Sequence, residues 1–209
     1  MKRVVNPEIL DELAVDDPRA IRSRRDLRLI NALMGNERWI KRQLLKDAPG
    51  KAFSELGAGR GELLTCLGRS GGLCRGYDLQ PRPESLFEKV DWVEGDFFEA
   101  LAGDESEVVG GSLILHHFEE EALLRLGRLL AGKKMLVFAE PLRSPLALAE
   151  GYFLFPLVNG VTRHDMMVSI RAGFLKGELA AKLGLEKGWQ WRESVTARGG
   201  LRSVGLRVD

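Results

Sequence analysis

The sequence predicts an α/β fold: a mostly parallel sheet with helices on both faces that ends in an antiparallel pair of strands. Three observations carry this. From residue 51 onward, short apolar strand candidates alternate with helically spaced stretches, joined by short connections. Met135-Leu136-Val137-Phe138-Ala139, behind Lys134, is a continuous apolar run, the pattern of a strand buried on both faces. Near the C-terminus, residues 189–196 and 201–208 alternate in polarity around Arg198-Gly199-Gly200, the signature of a β-hairpin.

The chain has 209 residues, a length that fits one domain with a full core. Lysine and arginine total 31 against 30 acidic residues, and the isoelectric point is near 7.8. That balance argues against a protein that grips a nucleic-acid backbone mainly by charge. No apolar stretch approaches the roughly eighteen residues of a membrane span. Met1-Lys2-Arg3 is followed by no apolar signal-peptide segment, so a soluble cytoplasmic protein is expected. Cys66 and Cys74 are too few for a disulfide framework and wrongly spaced for zinc, and both read as small buried hydrophobes.

Residues 1–50 lack strand patterning. Asp16-Asp17-Pro18 is a helix-start signal, and apolar residues then recur at helical spacing from Ile21 to Met34. A break at Gly35-Asn36 separates this from a second run at Trp39, Ile40, Leu44 and Leu45. Arg19, Arg22, Arg24, Arg25 and Arg28 read as a solvated helix face, with a surface that recruits an anionic substrate as the alternative. After Pro49-Gly50, residues 52–56 form the first strand candidate, and residues 62–67 a helix. Strands follow at 73–77, 90–94 and 108–111, then a helix at 118–130 and the buried strand. Residues 166–183 read as a single helix.

The segment Glu55-Leu56-Gly57-Ala58-Gly59-Arg60-Gly61 places glycines between a strand and a helix, where backbone N–H groups can cradle a ligand. The dinucleotide fingerprint needs a glycine at position 62, and this chain has Glu62, an acid that would repel a pyrophosphate. No Gly-Lys-Ser/Thr follows the loop, which excludes a P-loop.

The loop resembles the first motif of the class I S-adenosylmethionine (SAM) dependent methyltransferases, E/D-x-G-x-G-x-G. Further segments resemble that family in its own order. Asp78 ends the second strand, Gly95-Asp96-Phe97 follows the third, and Ser112-Leu113-Ile114-Leu115-His116-His117-Phe118 follows the fourth. Glu140-Pro141 follows the fifth. The post-fourth-strand segment is similar to that of the small-molecule branch related to ubiquinone and menaquinone biosynthesis. The resemblance implies a Rossmann-like, seven-stranded sheet over residues 51–209, a helical cap over 1–50, and a lid insertion around 143–184. The chain departs from the family at Val109-Gly110-Gly111-Ser112, where an acid and Ala-Asn are often found.

By this resemblance the cofactor is SAM and its product S-adenosylhomocysteine (SAH), held by Glu55, Gly57, Ala58, Gly59, Gly61, Asp78, Leu79, Asp96, Phe97 and Ser112. Glu55 would order the glycine loop and reach the methionine end. Asp78 would take the ribose hydroxyls, and Asp96 with Phe97 the adenine. Tyr152, Phe155 and Arg163 fall where this class builds its acceptor pocket, with Phe153 in the same aromatic run. His164 is the expected general base for a phenol or enol, with an orienting partner other than Asp165. His116 and His117 are expected to be structural. The sequence offers no His/Asp/Glu set at metal-ligand spacing, so no metal is expected.

The expected reaction is methyl transfer to oxygen or carbon of a small aromatic, polyketide-like or quinone-like acceptor. The rivals are an RNA or protein methyltransferase, disfavoured by the neutral charge and the missing Asn/Asp-Pro-Pro-aromatic motif, and a non-catalytic SAM-binding module, which the altered Gly110-Gly111-Ser112 turn would allow.

Overall fold

The computed structural model describes residues 1–14 and 16–208. Three helices open the chain: α1 (Ile9–Glu12), α2 (Pro18–Met34) and α3 (Asn36–Asp47). Asp17 caps α2, its side chain accepting from the Arg19 N–H with Pro18 at the first helical position. Gly35 takes the left-handed conformation (φ 64°) that ends α2 and starts α3.

The core alternates β1 (Phe53–Leu56), α4 (Glu62–Arg69), β2 (Cys74–Asp78), β3 (Asp91–Glu94), α5 (Phe97–Ala100), β4 (Val108–Ser112), α6 (Glu120–Leu130) and β5 (Met135–Pro141). Helices α7 (Pro145–Leu154), α8 (Gly160–Ala172) and α9 (Leu179–Leu183) precede the hairpin of β6 (Trp189–Val195) and β7 (Gly200–Arg207). The sheet order is β3-β2-β1-β4-β5-β7-β6, with β7 antiparallel to both neighbours and the other pairs parallel. The Rossmann-like expectation, including the terminal hairpin, matches this architecture.

Strand β5 is buried throughout because its alternate residues feed two cores. Leu136 and Phe138 join Leu123, Leu126 and Leu130 of α6 and Leu179 and Leu183 of α9 on one face. Met135, Val137 and Ala139 join Ile40 and Leu44 of α3 and Leu63, Leu64 and Leu67 of α4 on the other. The glycines of β4 serve this packing: a Cβ on Gly110 would stand 2.3 Å from the Val137 carbonyl oxygen.

Two expectations need correction. Residues 166–183 are not one helix: α8 stops at Ala172 and α9 starts at Leu179. The cause is Gly173, which passes so close to β5 that a Cβ there would lie 2.2 Å from the Pro141 carbonyl oxygen. Phe174 then bonds Pro141 through its N–H at 3.0 Å, a contact no continuous helix could make. Cys66 is exposed on the outer side of α4, with Lys41 Nζ 3.1 Å from its Sγ, whereas Cys74 is buried as expected and burial pushes its thiol up to about 11.

At the N-terminal edge of the sheet, the side chain of Asp104 is fully enclosed. It accepts from Ser54 Oγ (2.6 Å), Tyr77 Oη (2.6 Å), Lys133 Nζ (2.8 Å) and the Ser106 N–H (2.8 Å). Burial acts to raise its carboxyl, but these bonds, from Lys133 first, outweigh it and hold the group well below its ordinary value of 3.8. Its stabilisation is therefore present above about pH 4 and lost as the pH falls below that. Asp104→Asn strands the Lys133 ammonium and should cost about 3 kcal/mol or more near neutrality. Thermal melts from pH 7 down to pH 3 should show the gap between wild type and variant narrowing; a gap that stayed constant would refute this account.

Candidate functional site

The sheet order reverses between β1 and β4, so their C-terminal ends open a crevice, the usual ligand position in such sheets. Leaving β1, the chain turns through Gly57 (φ 64°), Gly59 (φ 57°) and Gly61 (φ 68°), a backbone that other residues rarely adopt. A Cβ on Gly57 would strike Ile114 at 2.6 Å, whereas Gly59 faces open space. Ala58 is buried, its N–H on the Tyr77 carbonyl (3.0 Å). Asp78, ending β2, accepts from the Gly59 N–H (2.7 Å) with one oxygen and the Gln80 N–H (2.9 Å) with the other. It thereby ties the glycine loop to the β2 exit, and each carboxylate oxygen retains a second lone pair. Leu79 beside it is exposed and apolar.

Glu55 lies beneath this loop, 5% exposed, and its Oε2 has no hydrogen-bond partner. Burial raises its carboxyl well above the ordinary 4.5, and the nearby charges of Glu37, Glu62 and Asp78 add to the rise. Glu37, in the first turn of α3, is raised as well, by burial and then by Glu62. The three acids within electrostatic reach of Glu55 favour a cationic ligand there over a phosphate. Asp96 caps α5, accepting from the Phe98 N–H (2.9 Å). Phe97 is buried, stacked on Phe98 (4.8 Å) and edge-on to Phe118 (5.6 Å).

The other wall is the exit of β4. Leu113 has φ 58°, the only left-handed non-glycine among the described residues. Such a conformation costs about 1–3 kcal/mol and persists only where the surroundings enforce it. Here its N–H is held by the Ala139 carbonyl (2.8 Å), and Glu140 anchors the residues that follow. Glu140 Oε1 accepts from the N–H groups of Ile114 (3.0 Å) and Leu115 (2.9 Å), and Oε2 from that of His116 (3.3 Å). Oε2 is also 2.9 Å from His116 Nδ1. Burial alone would lower the His116 imidazole, but its bonds to Glu140 and Glu8 prevail and raise it to about 9. Ser112 meets Asn36, whose Nδ2 donates at 3.3 Å from the start of α3. Arg202 of β7 holds that corner through the Met34 (2.8 Å) and Gly35 (3.3 Å) carbonyls.

The residues expected at the acceptor lie on α7, on the single turn that follows it (Phe155–Leu157), and on α8. Tyr152 and Phe155 pack ring to ring at 4.9 Å. Tyr152 and Phe153 are exposed. Arg163 Nε donates to the Phe155 (2.8 Å) and Val158 (3.0 Å) carbonyls. His164 is half-exposed, and its Nδ1 stands 2.9 Å from Asp165 Oδ1. The expectation that Asp165 would face away is thus corrected: the carboxylate bends back to its neighbour while also accepting from the Ile9 (2.8 Å) and Leu10 (3.0 Å) N–H groups.

Sequence reading missed Asn36, Glu37 and the role of Glu140. The break at Gly35-Asn36 marked the first two, and Glu140-Pro141 was visible as a motif without its bonding role. It also missed that Glu8, His116 and His117 come together, with one potential ligand atom from each within 4.8 Å of the others. The absence of a His/Glu cluster at ligand spacing holds along the chain and fails in three dimensions, because Glu8 arrives from 108 residues upstream.

No protein-family model and no curated protein sequence matches this chain. Solved structures do match it in fold. The plantazolicin methyltransferase BamL, in complex with SAH and a triazolic desmethylPZN analog, superposes with a TM-score of 0.73 at 9% identity, covering 96% of this chain and 93% of that one. Human N-acetylserotonin methyltransferase in complex with SAM gives 0.60 at 19% identity, over 95% of this chain and 61% of that one. The pyocyanin biosynthetic protein PhzM gives 0.60 at 21% identity, over 92% of this chain and 60% of that one. The chain therefore has the fold of these methyltransferases.

Glu140→Gln would turn an amide N–H₂ toward the His116 N–H and Nδ1, or toward Ile114 and Leu115, so donors would face donors. The expected loss is about 1–3 kcal/mol, and for this size each kcal/mol lowers Tm by about 2–4 °C. Calorimetry of the variant checks this, and an unchanged Tm would show that the carboxylate does not hold the loop.

Proposed function

We propose that this chain is a SAM-dependent methyltransferase acting on an oxygen or carbon of a small aromatic, polyketide-like or quinone-like acceptor. The observation that carries this reading is Glu55: a buried carboxyl with an unpartnered oxygen, under a left-handed glycine loop, within a rim of acids. A ligand bearing ammonium and sulfonium charges would satisfy that oxygen and relieve the crowding of like charges, whereas a pyrophosphate would worsen it. The methyltransferase fold of the neighbours, crystallised with SAH or SAM, supports the same ligand.

In this reading Glu55 and the 57–61 loop receive the methionine end, Asp78 and Leu79 the ribose side, and Asp96 with Phe97 the adenine. Ser112 and Leu113 stand at the reacting end of the crevice, on a loop stiffened by Glu140. Bound there, SAM supplies a methyl group on a sulfonium centre. The chain's own task is to hold the acceptor near 3 Å from that methyl, exclude water and take a proton where the acceptor is a hydroxyl. His164 takes that proton: Nδ1–H donates to Asp165, which leaves Nε2 as the acceptor. Tyr152, Phe155 and Arg163 would border the acceptor.

SAM and SAH should each stabilise the fold and NAD should not. At a hundredfold excess over Kd the gain is about 2.7 kcal/mol, or roughly 5–11 °C in Tm. Asp78→Ala should remove most of this shift while leaving a folded protein. A flat thermal response at millimolar SAM sinks the proposal.

With an acceptor in hand, His164→Gln should lower the methyl-transfer rate about 10²-fold, the low end of general-base contributions, and leave SAH affinity within about a factor of two. Near-normal turnover would remove His164 from the reaction.

A further inference from the structure

We propose that Glu8, His116 and His117 form a binding site for a divalent transition-metal ion of the zinc class, with a coordination position left open for water. One ligand atom of each residue lies within 4.8 Å of the others, and Glu8 Oε1 stands 3.5 Å from His116 Nε2. Zinc ligands at about 2.0–2.2 Å from the ion sit roughly 3.3 Å apart in a tetrahedron, so that pair already has ligand spacing. The His117 ring lies against that of His116, centroids 4.2 Å apart.

The surroundings are those of a supported metal ligand. His116 Nδ1 donates to Glu140 Oε2 at 2.9 Å, so its other ring nitrogen, Nε2, is the one turned toward Glu8. This is the carboxylate–histidine–metal relay that fixes the tautomer and orientation of metal-bound imidazoles. Nε2 and Glu8 Oε1 face each other across 3.5 Å, a position that a proton holds in the metal-free chain and that a metal cation would take over. Ser169 Oγ hydrogen-bonds the Glu8 carboxylate and limits its rotation. Glu8 and His116 are almost fully enclosed, while His117 is 29% exposed and opens the site to solvent. Asp11 Oδ2 lies on that open side, 3.7 Å from His117 Nδ1. Two imidazoles and one carboxylate suit zinc and its first-row neighbours, not the oxygen-only preference of magnesium or calcium. Three protein ligands, instead of four, match open sites and not closed structural ones.

The position of Glu8 gives the site a structural consequence. The N-terminal segment lies across the α8 end and the β4 exit: Arg3 donates to the Ala172 (2.7 Å) and Phe118 (2.8 Å) carbonyls, and the Ile9 and Leu10 N–H groups bind Asp165. A bound ion would fasten this segment to residues 115–117.

The test uses the full chain stripped with EDTA and titrated with zinc ion alone against a chromophoric chelator, then with cobalt ion to read its visible absorption bands. The expected result is one equivalent bound, with a Tm rise of roughly 5–11 °C at a hundredfold excess over Kd. Glu8→Gln and His117→Gln should each weaken binding at least tenfold and alter the cobalt bands, with circular dichroism like that of wild type. Should Glu8→Gln fail to fold, His117→Gln on the open side decides alone. No stoichiometric binding, which would leave a proton shared between Glu8 and His116, overturns the proposal. So do variants that bind zinc as wild type does.

Discussion

The carboxylate of Glu140 is the contact on which the upper half of this molecule depends. It sits at the end of β5, a strand buried along its whole length, and accepts from three successive backbone N–H groups and from one imidazole of the chain leaving β4. Those N–H groups belong to a turn that no regular element could satisfy, because Leu113 has just entered the left-handed region. One side chain thus converts a strained exit into a fixed wall. Ile114 can then lie against Gly57, and His116 can turn its free edge toward the N-terminal segment.

Two buried acids at opposite ends of the sheet show how environment moves a carboxyl in opposite directions. Asp104 has every approach filled by a donor, and its carboxyl is driven down. Glu55 has burial without a full set of donors and three acids nearby, and its carboxyl is driven up. The first arrangement lowers the energy of the folded chain by itself. The second leaves a buried oxygen unsatisfied, a cost that the proposed cationic ligand would offset.

The helical cap is part of the crevice and not an appendage. Gly35 lets α2 and α3 meet at an angle that Arg202 of β7 fixes, and this brings Asn36 onto Ser112 and Glu37 into the acidic rim. On the other flank, Asp26 of α2 accepts from the Asn159 N–H (2.8 Å) and the Thr162 hydroxyl (3.2 Å), which seats the cap on α8. The first twelve residues continue over that surface to His116. Both ends of the fourth-strand exit are therefore finished by residues from outside the sheet domain.

The sequence alone determined the sheet, its closing hairpin and the glycine loop with its flanking acids, because each depends on neighbours in the chain. Strand alternation, a buried apolar run and a glycine-for-turn spacing are local patterns with a period or a fixed length, and Glu55, Asp78 and Asp96 fall at strand ends that those patterns locate. The end of α8 was not legible, since Gly173 is required there only by its approach to Pro141. Nor was the turn of Asp165 toward His164, which the N–H groups of α1 help to set. The bonding of Glu140, the placement of Asn36 and Glu37 at the crevice, and the meeting of Glu8 with His116 and His117 were decided by tertiary structure. Hydrogen bonds and like-charge repulsion act through a few ångströms of space, and residues 8 and 116 share that space only after α1, α8 and the β4 exit have packed.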